Sequence, residues 1–524
     1  MTTGLLTQLA DYGVYHDEEQ GSVEVADVLA VVGSPAAGGD AADPMQTETL
    51  DRIDDLMVDY LQEQPDGSTA PAVRNRWSGV VGAVAAMFLV VVGVVVVADR
   101  NSGEVTSDPS SSPTVADPAA SAGLVDPLPY RWSRVPHDEA IFGADGRTSM
   151  HSVTVGGPGL VAVGSVGDDE AADAAVWTSV DGITWSRVAH DDAIFGGWRG
   201  QWMNSVTVGG PGLVAVGSDG HRVNDATERA GAAAVWTSVD GITWSRVRHD
   251  EAVFGGARMS DVTVGGPGLV AVGSAGVEAD EDADAVAAVW TSIDGLTWSR
   301  VAHDEAVFGG ADSQQMHSVT VGGPGLVAVG SVVQLWDSPV GSDAAVWTSV
   351  DGIIWSRVAH DETVFGGADN QQMHSVTVGG PGLVAVGSAG LSEVADADAA
   401  VWTSVDGIIW SLVAHDEAVF GGADNQQMHS VTVAGAGLVA VGADGGWLCC
   451  YSWEPLDAVV WTSVDGIIWS RVAHDEAVFG RGQMHSVTVA GAGLVAVGSE
   501  ELRSSAPVTE WGDSVFVWVA EPEP

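Results

Sequence analysis

The chain has 524 residues and carries 71 acidic residues against 19 basic ones, which gives a formal net charge of −52 at pH 7. A field of this sign repels the phosphates of nucleic acid and of anionic lipids, so we expect no nucleic-acid partner. The only cysteines, Cys449 and Cys450, are adjacent and can neither cross-link distant loops nor form a zinc site.

Residues 1–76 are predicted to form an acidic cytoplasmic region that is partly disordered and contains one amphipathic helix. Leu50, Ile53, Met57 and Leu61 recur at helical spacing within residues 47–64, with aspartates on the opposite face. A single helix of this length is marginally stable in water. We therefore interpret it as a juxtamembrane spacer, with docking of a cytoplasmic partner as the alternative.

Residues 77–98, WSGVVGAVAAMFLVVVGVVVVA, are predicted to form a transmembrane helix. The segment has no charge and would extend over about 33 Å as a helix, which is enough to cross a bilayer. It follows 76 residues of polar sequence, unlike a cleaved signal peptide. Arg74 and Arg76 precede it and Asp99 follows, which predicts a single-pass plasma-membrane protein with its N-terminus in the cytoplasm. The Ser-, Pro- and Asp-rich residues 99–129 are predicted to be an extracytoplasmic stalk.

Residues 130–524 contain seven copies of one unit. Each copy has four β-prone runs in fixed order, such as VTV, LVAVG, AVWTS and TWSRV, bounded by Gly, Pro or Asp. We label these runs strands a, b, c and d. Units that recur every 54 to 59 residues with four strands each are typical of propeller blades. The sequence therefore predicts an all-β fold, a seven-bladed β-propeller of four-stranded blades, preceded by the transmembrane helix.

The two ends of the repeat region complete each other. The region begins with an isolated d run at residues 131–135 and ends with an a, b, c set that has no d run of its own. Pairing the N-terminal d strand with the last c strand would close the ring and remove the strand edges that promote aggregation. We therefore predict a composite last blade and a monomeric propeller.

The hairpin between strands c and d reads S-V-D-G-I-T-W and resembles the Asp-box, or BNR repeat, of sialidase-like propellers. Three copies replace its Thr with Ile354, Ile409 or Ile468. In that family the box is structural, and the turn chemistry of Asp and Gly independently supports this role here. The resemblance implies a structural role for the six aspartates of the hairpins, Asp181, Asp240, Asp294, Asp351, Asp406 and Asp465.

The resemblance also raises the question of sialidase chemistry, which in that family uses three converging arginines, a Tyr paired with Glu, and an acidic proton donor. Only Tyr130 and Tyr451 fall within the repeats, and the Arg of WSRV recurs on an outer strand, so no catalytic residue is assigned. We therefore expect a non-enzymatic binding or scaffold module for a glycan, an envelope polymer or a protein. The alternatives are a divergent sialidase-like glycoside hydrolase and a sensor receptor that signals through its cytoplasmic region.

Two groups of residues are candidates for ligand binding. One lies at the start of the innermost strands, where it should surround the mouth of the central channel; Asn204 and Ser260 take the two remaining places. This ring of imidazoles and amides could hold an anion, a metal or a sugar, although hydrogen bonds to neighbouring loops explain it equally well. The other group is aromatic and lies in the variable b–c loops. The candidates are His151, His317, His374, His429 and His485 in the ring, and Trp336, Trp447 and Trp453 in the loops.

The d–a connections repeat the sequence H-D-E-A-V-F-G-G. His, Asp and Glu can bind metal, but neighbouring residues in a loop more often form local caps and hydrogen bonds. We therefore predict neither a metal site nor a cofactor, while the acidic loops leave weak Ca²⁺ binding open.

Overall fold

The computed structural model describes residues 130–522, apart from 144–147, 168–171, 198–199, 221–230, 277–284, 311, 335–340, 368–369, 391–396, 423–424, 446, 449–451, 454–455, 492 and 501–513. The predicted cytoplasmic region, the predicted membrane span at 77–98, the stalk, Trp336 and both cysteines lie outside the described residues. Among the helices that are described, none combines the length and the apolar character needed to cross a bilayer.

The described residues form seven four-stranded antiparallel sheets, which we number as blades 1 to 7. Strand β1 (Tyr130–Arg134) comes first. Blade 1 contains β2 (Thr148–Gly156), β3 (Gly159–Val166), β4 (Asp173–Ser179) and β5 (Trp185–Arg187). Blade 2 contains β6 (Gln201–Gly209), β7 (Gly212–Asp219), β8 (Ala232–Ser238) and β9 (Trp244–Arg246). Blade 3 contains β10 (Ala257–Gly265), β11 (Gly268–Ala275), β12 (Val286–Ser292) and β13 (Trp298–Arg300).

The remaining blades repeat this order. Blade 4 contains β14 (Ser313–Gly322), β15 (Gly325–Gln334), β16 (Gly341–Ser349) and β17 (Trp355–Arg357). Blade 5 contains β18 (Asn370–Gly379), β19 (Gly382–Gly390), β20 (Ala397–Ser404) and β21 (Trp410–Leu412). Blade 6 contains β22 (Gln426–Ala434) and β23 (Gly437–Asp444), then a separate hairpin of β24 (Trp447–Leu448) and β25 (Ser452–Trp453), then β26 (Asp457–Ser463) and β27 (Trp469–Arg471). Blade 7 contains β28 (Gln483–Ala490), β29 (Gly493–Glu500) and β30 (Ser514–Pro522) together with β1.

Four single-turn helices lie in the d–a connections: α1 (Glu139–Phe142), α2 (Glu251–Phe254), α3 (Glu305–Phe308) and α4 (Glu476–Phe479). Each begins at an Asp whose carboxylate accepts the backbone N–H two residues later, as Asp304 does from Ala306. The local capping that the H-D-E-A-V-F sequence predicted is therefore present.

The hydrophobic core lies between neighbouring blades. Strand b is an unbroken apolar run because both of its faces are covered, and Val327 and Val329 of blade 4 pack against Phe365 and Trp402 of blade 5. The Trp of strand c is fully buried in each blade, and its indole N–H donates to a carbonyl of the preceding d–a connection. The seven donor–acceptor pairs, at 2.7–2.9 Å, are Trp177–Ile141, Trp236–Ile194, Trp290–Val253, Trp347–Val307, Trp402–Val364, Trp461–Val419 and Trp518–Val478.

The composite last blade is confirmed. Its strand order is β1-β30-β29-β28, and β1 pairs antiparallel with β30 from Tyr130 opposite Pro522 to Arg134 opposite Trp518. Trp132 of β1 is only 7% exposed and belongs to the core between blades 6 and 7. The guanidinium of Arg134 donates to the carbonyls of Val478 and Gly480. The first strand is thus an integral part of the last blade.

The strand order gives the propeller two distinct faces. We call the face that carries the d–a and b–c connections the loop face, and the face that carries the a–b and c–d turns the turn face. Strands a and c run from the loop face to the turn face, and strands b and d run back. Since β1 is a d strand, it starts at the turn face.

The c–d hairpins on the turn face are held by their aspartates. In blade 4, one Asp351 oxygen accepts the backbone N–H groups of Ile353 and Ile354, each at 2.8 Å, and Ser349 Oγ accepts the N–H of Gly352. The indole N–H of Trp355 donates to the Gly352 carbonyl at 3.0 Å. In blade 2 the equivalent Asp240 also accepts from the Thr243 hydroxyl at 3.1 Å, and the backbone N–H groups of Thr243 and Ile242 hold the pKa of Asp240 below its ordinary value.

We expect the Asp351→Ala variant to lower the free energy of unfolding by about 1 kcal/mol, because two backbone donors lose their acceptor but remain reachable by water. Asp240→Ala should cost more, since the Thr243 hydroxyl loses its acceptor as well. Urea unfolding monitored by tryptophan fluorescence measures both values. An unchanged midpoint for both variants would contradict a structural role for these aspartates.

Candidate functional site at the mouth of the central channel

The innermost strand of every blade has a β-bulge close to the loop face. In blade 1 the pairing register shifts between Met150 and Ser152, so His151 is the extra residue, and the other six blades shift at the equivalent place. A bulge turns a side chain away from its regular direction. The preceding Met is fully buried in the core, whereas the bulged residue retains part of its exposed surface. The bulged residues are His151, Asn204, Ser260, His317, His374, His429 and His485.

The five bulge histidines join neighbouring blades. The Nδ1 of His317 lies 3.0 Å from the carbonyl oxygen of Met373 in the next blade, and the Nδ1 of His485 lies 2.9 Å from that of Met150 across the ring closure. His151, His374 and His429 make the same contact at 3.0–3.1 Å. A carbonyl only accepts, so Nδ1 carries the proton and Nε2 keeps its lone pair. Asn204 replaces the imidazole with its side-chain N–H, which donates to the Met259 carbonyl at 2.7 Å.

These histidines form one continuous arc from blade 4 through blade 7 to blade 1. Neighbouring ring centroids are 5.9 Å apart along the whole arc. A closed ring of seven members at this spacing has a radius of about 7 Å, measured to the ring centroids.

Burial lowers the pKa values of the arc histidines. It lowers the pKa of His317 from 6.5 to about 4 and, together with the charges of the neighbouring imidazoles, lowers those of His374 and His485 to about 3. The side chains keep some surface in the channel, but protein surrounds them and excludes most of the bulk water. The arc is therefore neutral at neutral pH and presents hydrogen-bond acceptors, which favours a ligand rich in hydroxyl groups over an anion.

Blade 3 interrupts the repeated pattern with Asp261. The other six blades carry Ser at this place, and five of these serines, such as Ser152, accept a backbone N–H from the following blade at 3.2–3.4 Å. Asp261 instead accepts hydrogen bonds from Ser205 Oγ at 2.7 Å and Ser318 Oγ at 3.1 Å, and from two backbone N–H groups. Burial raises the pKa of the Asp261 carboxyl, and these hydrogen bonds oppose the shift.

Arg258 and Trp202 occupy one further position that the repeats vary. This position lies two residues before the bulge, on the channel side of strand a, and in four other blades it is Gln. Arg258 is exposed, and its positive charge contributes to the lowered pKa of His317. Blades 2 and 3 thus bring Trp202, Arg258 and the half-buried Asp261 to one side of the mouth, opposite the middle of the histidine arc.

A second cluster recurs on the rim of the loop face. In blade 5 the Nε2 of His415 lies 3.2 Å from Glu417 and 3.6 Å from Asp398, and His474 has the same partners, Glu476 and Asp457, at 3.3 Å and 3.6 Å. The ligand atoms of each trio are close enough to share a cation. Each Glu is exposed, and the contacts join the d–a loop to the start of strand c. We therefore interpret these clusters as contacts that hold the d–a loop against the start of strand c.

Comparison with known proteins finds matches among solved structures alone. No family model and no curated protein matches the chain. Solved structures do match: a phage phi92 endosialidase is 11% identical with a TM-score of 0.38, covering 76% of this chain and 70% of its own. The GH93 α-L-arabinofuranosidase of Fusarium graminearum is 11% identical with a TM-score of 0.33, covering 73% and 97%. A GH32 β-fructofuranosidase of Bombyx mori is 8% identical with a TM-score of 0.33, covering 75% and 91%.

These comparisons correct one expectation. The comparisons contradict the expectation of a non-enzymatic binding or scaffold module, since several of the matched structures are named as glycoside hydrolases. The expectation rested on the lack of a recognisable sialidase catalytic set, whereas blade 3 places Arg258 and Asp261 at the mouth, at positions where the other blades carry different residues. At these identities and TM-scores the likeness is one of fold, and the substrate named for each protein belongs to that protein.

The predicted site residues fall in three places. The five histidines lie together at the channel mouth, and the six hairpin aspartates lie on the turn face, away from it. Trp447 and Trp453 are opposite each other in the backbone pairing of the β24–β25 hairpin, in the b–c connection of blade 6. Trp336 lies outside the described residues. Sequence reasoning missed Trp202, Arg258 and Asp261, although a column-by-column comparison of the seven copies shows each as a departure from the repeat.

Proposed function

We propose that the chain is a divergent glycoside hydrolase of the sialidase-like propeller class, acting on a glycan at the mouth of the channel. The observation that carries the proposal is the departure of blade 3 from the repeat, which brings a carboxyl with a raised pKa beside a neutral imidazole and an exposed guanidinium. Hydrolysis needs different groups in different roles, and this is the sector of the mouth where the described residues differ most.

The proposed binding mode follows from the chemistry of the arc. The Nε2 atoms of the arc, except that of His429, which contacts Gln427, accept hydrogen bonds from sugar hydroxyls. The amides of Gln315 and Gln372, two residues before the bulge, offer both donors and acceptors. Trp202, at the same strand position in blade 2, offers an apolar ring for stacking on a sugar. Neutral groups of this kind suit a polyhydroxylated ligand and add no charge to be desolvated.

The proposed chemistry uses Asp261 and His317. Asp261, when protonated, gives its proton to the departing glycosidic oxygen as the bond between that oxygen and the anomeric carbon breaks. A water molecule adds to the anomeric carbon and loses a proton to the unprotonated Nε2 of His317, and Arg258 binds an acidic or hydroxyl group of the substrate. The two residues belong to neighbouring strands, since Asp261 binds Ser318, the residue after His317.

The Asp261→Ser variant tests this proposal. It introduces the Ser that the other six blades carry at this position, so the fold should be kept. We expect the full chain to hydrolyse at least one class in a panel of aryl glycosides and polysaccharides, and we expect the variant to lose at least about 100-fold in kcat, the usual contribution of a general acid. Glu305→Gln, on the exposed rim, serves as the control and should keep full turnover. Full activity in Asp261→Ser, or no turnover of any glycan by the wild type, would refute the proposal.

The repeat class and the location of the chain are further proposals. We infer that the c–d hairpins are Asp-box repeats, which the contacts of Asp351 and Asp240 support. From the sequence we also infer that residues 77–98 anchor the protein once in the plasma membrane, with a cytoplasmic N-terminus and an extracytoplasmic, monomeric propeller. Resistance of the membrane-bound chain to carbonate extraction, and cleavage of the propeller by protease added outside, are the results that this topology requires.

A further inference from the structure

The turn face of the propeller exposes apolar side chains in every c–d hairpin. The first hairpin residue after strand c is Val or Ile in all six hairpins, and it is 72–82% exposed in five of them. Three residues further along, a second Ile or Leu is also exposed, as Ile353 is in blade 4. A single exposed apolar residue is normal on a protein surface, but a repeated set on one face marks an interaction surface.

An inner ring of valines extends this apolar surface towards the channel. Val208 is half exposed, and its methyl group packs against Gly156 of the preceding blade, so the ring is continuous from one blade to the next. The a–b turn lies between this ring and the hairpins, and the Pro158 ring contacts Gly241 of the neighbouring hairpin. The turn face therefore carries concentric apolar zones. The acidic d–a and b–c connections lie on the opposite face, while the turn face keeps the six hairpin aspartates, such as Asp351, each bonded to backbone N–H groups of its own hairpin.

Blades 4 to 6 increase the apolar character at the expense of a hydrogen bond. In blades 1 to 3 the hairpin position before the Trp is Thr, whose hydroxyl donates to the Asp, as Thr184 does to Asp181 at 3.1 Å. In blades 4 to 6 the same position is Ile354, Ile409 or Ile468, with exposed fractions of 74%, 71% and 56%. Replacing a bonded Thr by an exposed Ile gains nothing in a water-exposed hairpin, but it gains apolar area if the hairpin meets an apolar environment.

The position where the chain joins the propeller indicates what that environment is. Strand β1 starts at the turn face, with Tyr130 opposite Pro522, and β1 belongs to blade 7, next to blade 6. Residues 1–129 therefore connect at the apolar face, and they include the uncharged run 77–98. The 31 residues 99–129 span at most about 100 Å when extended, so their length allows the face to meet the bilayer.

We propose that the turn face of blades 4 to 6 docks on a bilayer of zwitterionic lipid, with the exposed Val and Ile side chains in the interfacial layer. The inference rests on the proposed membrane anchor. The net charge of −52 opposes contact with anionic headgroups, so the attraction comes from apolar area and is expected to be insensitive to salt. A docked propeller presents its loop face, and with it the channel mouth, away from the membrane.

The test uses the full chain with both cysteines changed to Ser, reconstituted in phosphatidylcholine nanodiscs. A bimane fluorophore is placed on Ile353→Cys at the turn face or, as control, on Glu305→Cys at the loop face. We expect doxyl-labelled lipid to quench the first label by about half and the second hardly at all, and iodide in solution to show the opposite preference. The triple variant Ile354→Thr, Ile409→Thr, Ile468→Thr introduces the residue of blades 1 to 3, and it should reduce lipid quenching without lowering the thermal unfolding transition.

The other outcomes each refute the proposal. Quenching of the Ile353 label by iodide alone would show that the turn face remains in water. Protection of that label from iodide in detergent micelles, increasing with protein concentration, would show that a second copy of the chain covers the face. Failure of the proposed anchor is seen in a separate experiment, because carbonate would then extract the chain from vesicles. The labels would still report whether the extracted chain binds neutral lipid through its turn face.

Discussion

Removing residues 1–135 is expected to abolish the cooperative unfolding of the propeller. The deletion takes away β1, which supplies the outer strand of blade 7 and buries Trp132 against the core between blades 6 and 7. Loss of a buried Trp alone costs about 3–5 kcal/mol, a large part of the stability of a typical domain. The edge of β30 would also be left with unpaired backbone groups, which are a template for association with another chain.

Size-exclusion chromatography and differential scanning calorimetry measure this effect. The matched control begins at residue 126, so it lacks residues 1–125 but keeps β1. It should be monomeric and melt in one transition. Trp132→Ala in the control background should lower the melting temperature without changing the oligomeric state. A monomeric protein with an unchanged melting transition after removal of β1 would show that the ring does not depend on this strand.

The closure of the ring could be predicted from the sequence because it depends on repeat order alone. The missing d strand at one end and the extra d strand at the other leave one consistent pairing, and the structure has it. The burial of the repeated Trp and Phe could also be anticipated, since large apolar residues that recur in every blade have to fill equivalent spaces between blades. Repetition makes such positions easy to recognise.

The channel mouth could be predicted only in part, for the same reason. The repeated histidines were placed correctly at the start of the innermost strands, but their protonation depends on the bulge, which directs each Nδ1 to a Met carbonyl in the next blade. That contact needs three-dimensional geometry. Asp261 and Arg258 each differ from the residue that most other blades carry at the same position, so a search for repeated residues does not select them. Their contacts across blades 2 to 4 show that they share one sector of the mouth.

The histidine arc is expected to make the stability of the propeller fall steeply as the pH is lowered from about 6.5 towards 3. Folding lowers the pKa of His317 to about 4 and those of His374 and His485 to about 3, from an ordinary value of 6.5. Within this window the unfolded chain therefore binds more protons than the folded one, so acid favours unfolding. Each unit of separation between the two pKa values corresponds to about 1.4 kcal/mol, so three such groups produce a large effect.

The triple variant His317→Asn, His374→Asn, His485→Asn isolates this effect. Asn occupies the same bulge position in blade 2, where it makes the equivalent hydrogen bond to Met259, so the substitution should keep the contact between blades and remove the titration. Chemical unfolding at several pH values between 7 and 3.5 should give a flatter dependence for the variant than for the wild type. Asp261, whose pKa is raised, makes acid favour the folded state. Asp261 and the acidic surface groups are present in both proteins, so they do not affect the difference between the two pH profiles. Parallel pH profiles for the two proteins would mean that the arc is hydrated and titrates normally, and that its Nε2 atoms are not the dehydrated acceptors on which glycan binding at the mouth depends.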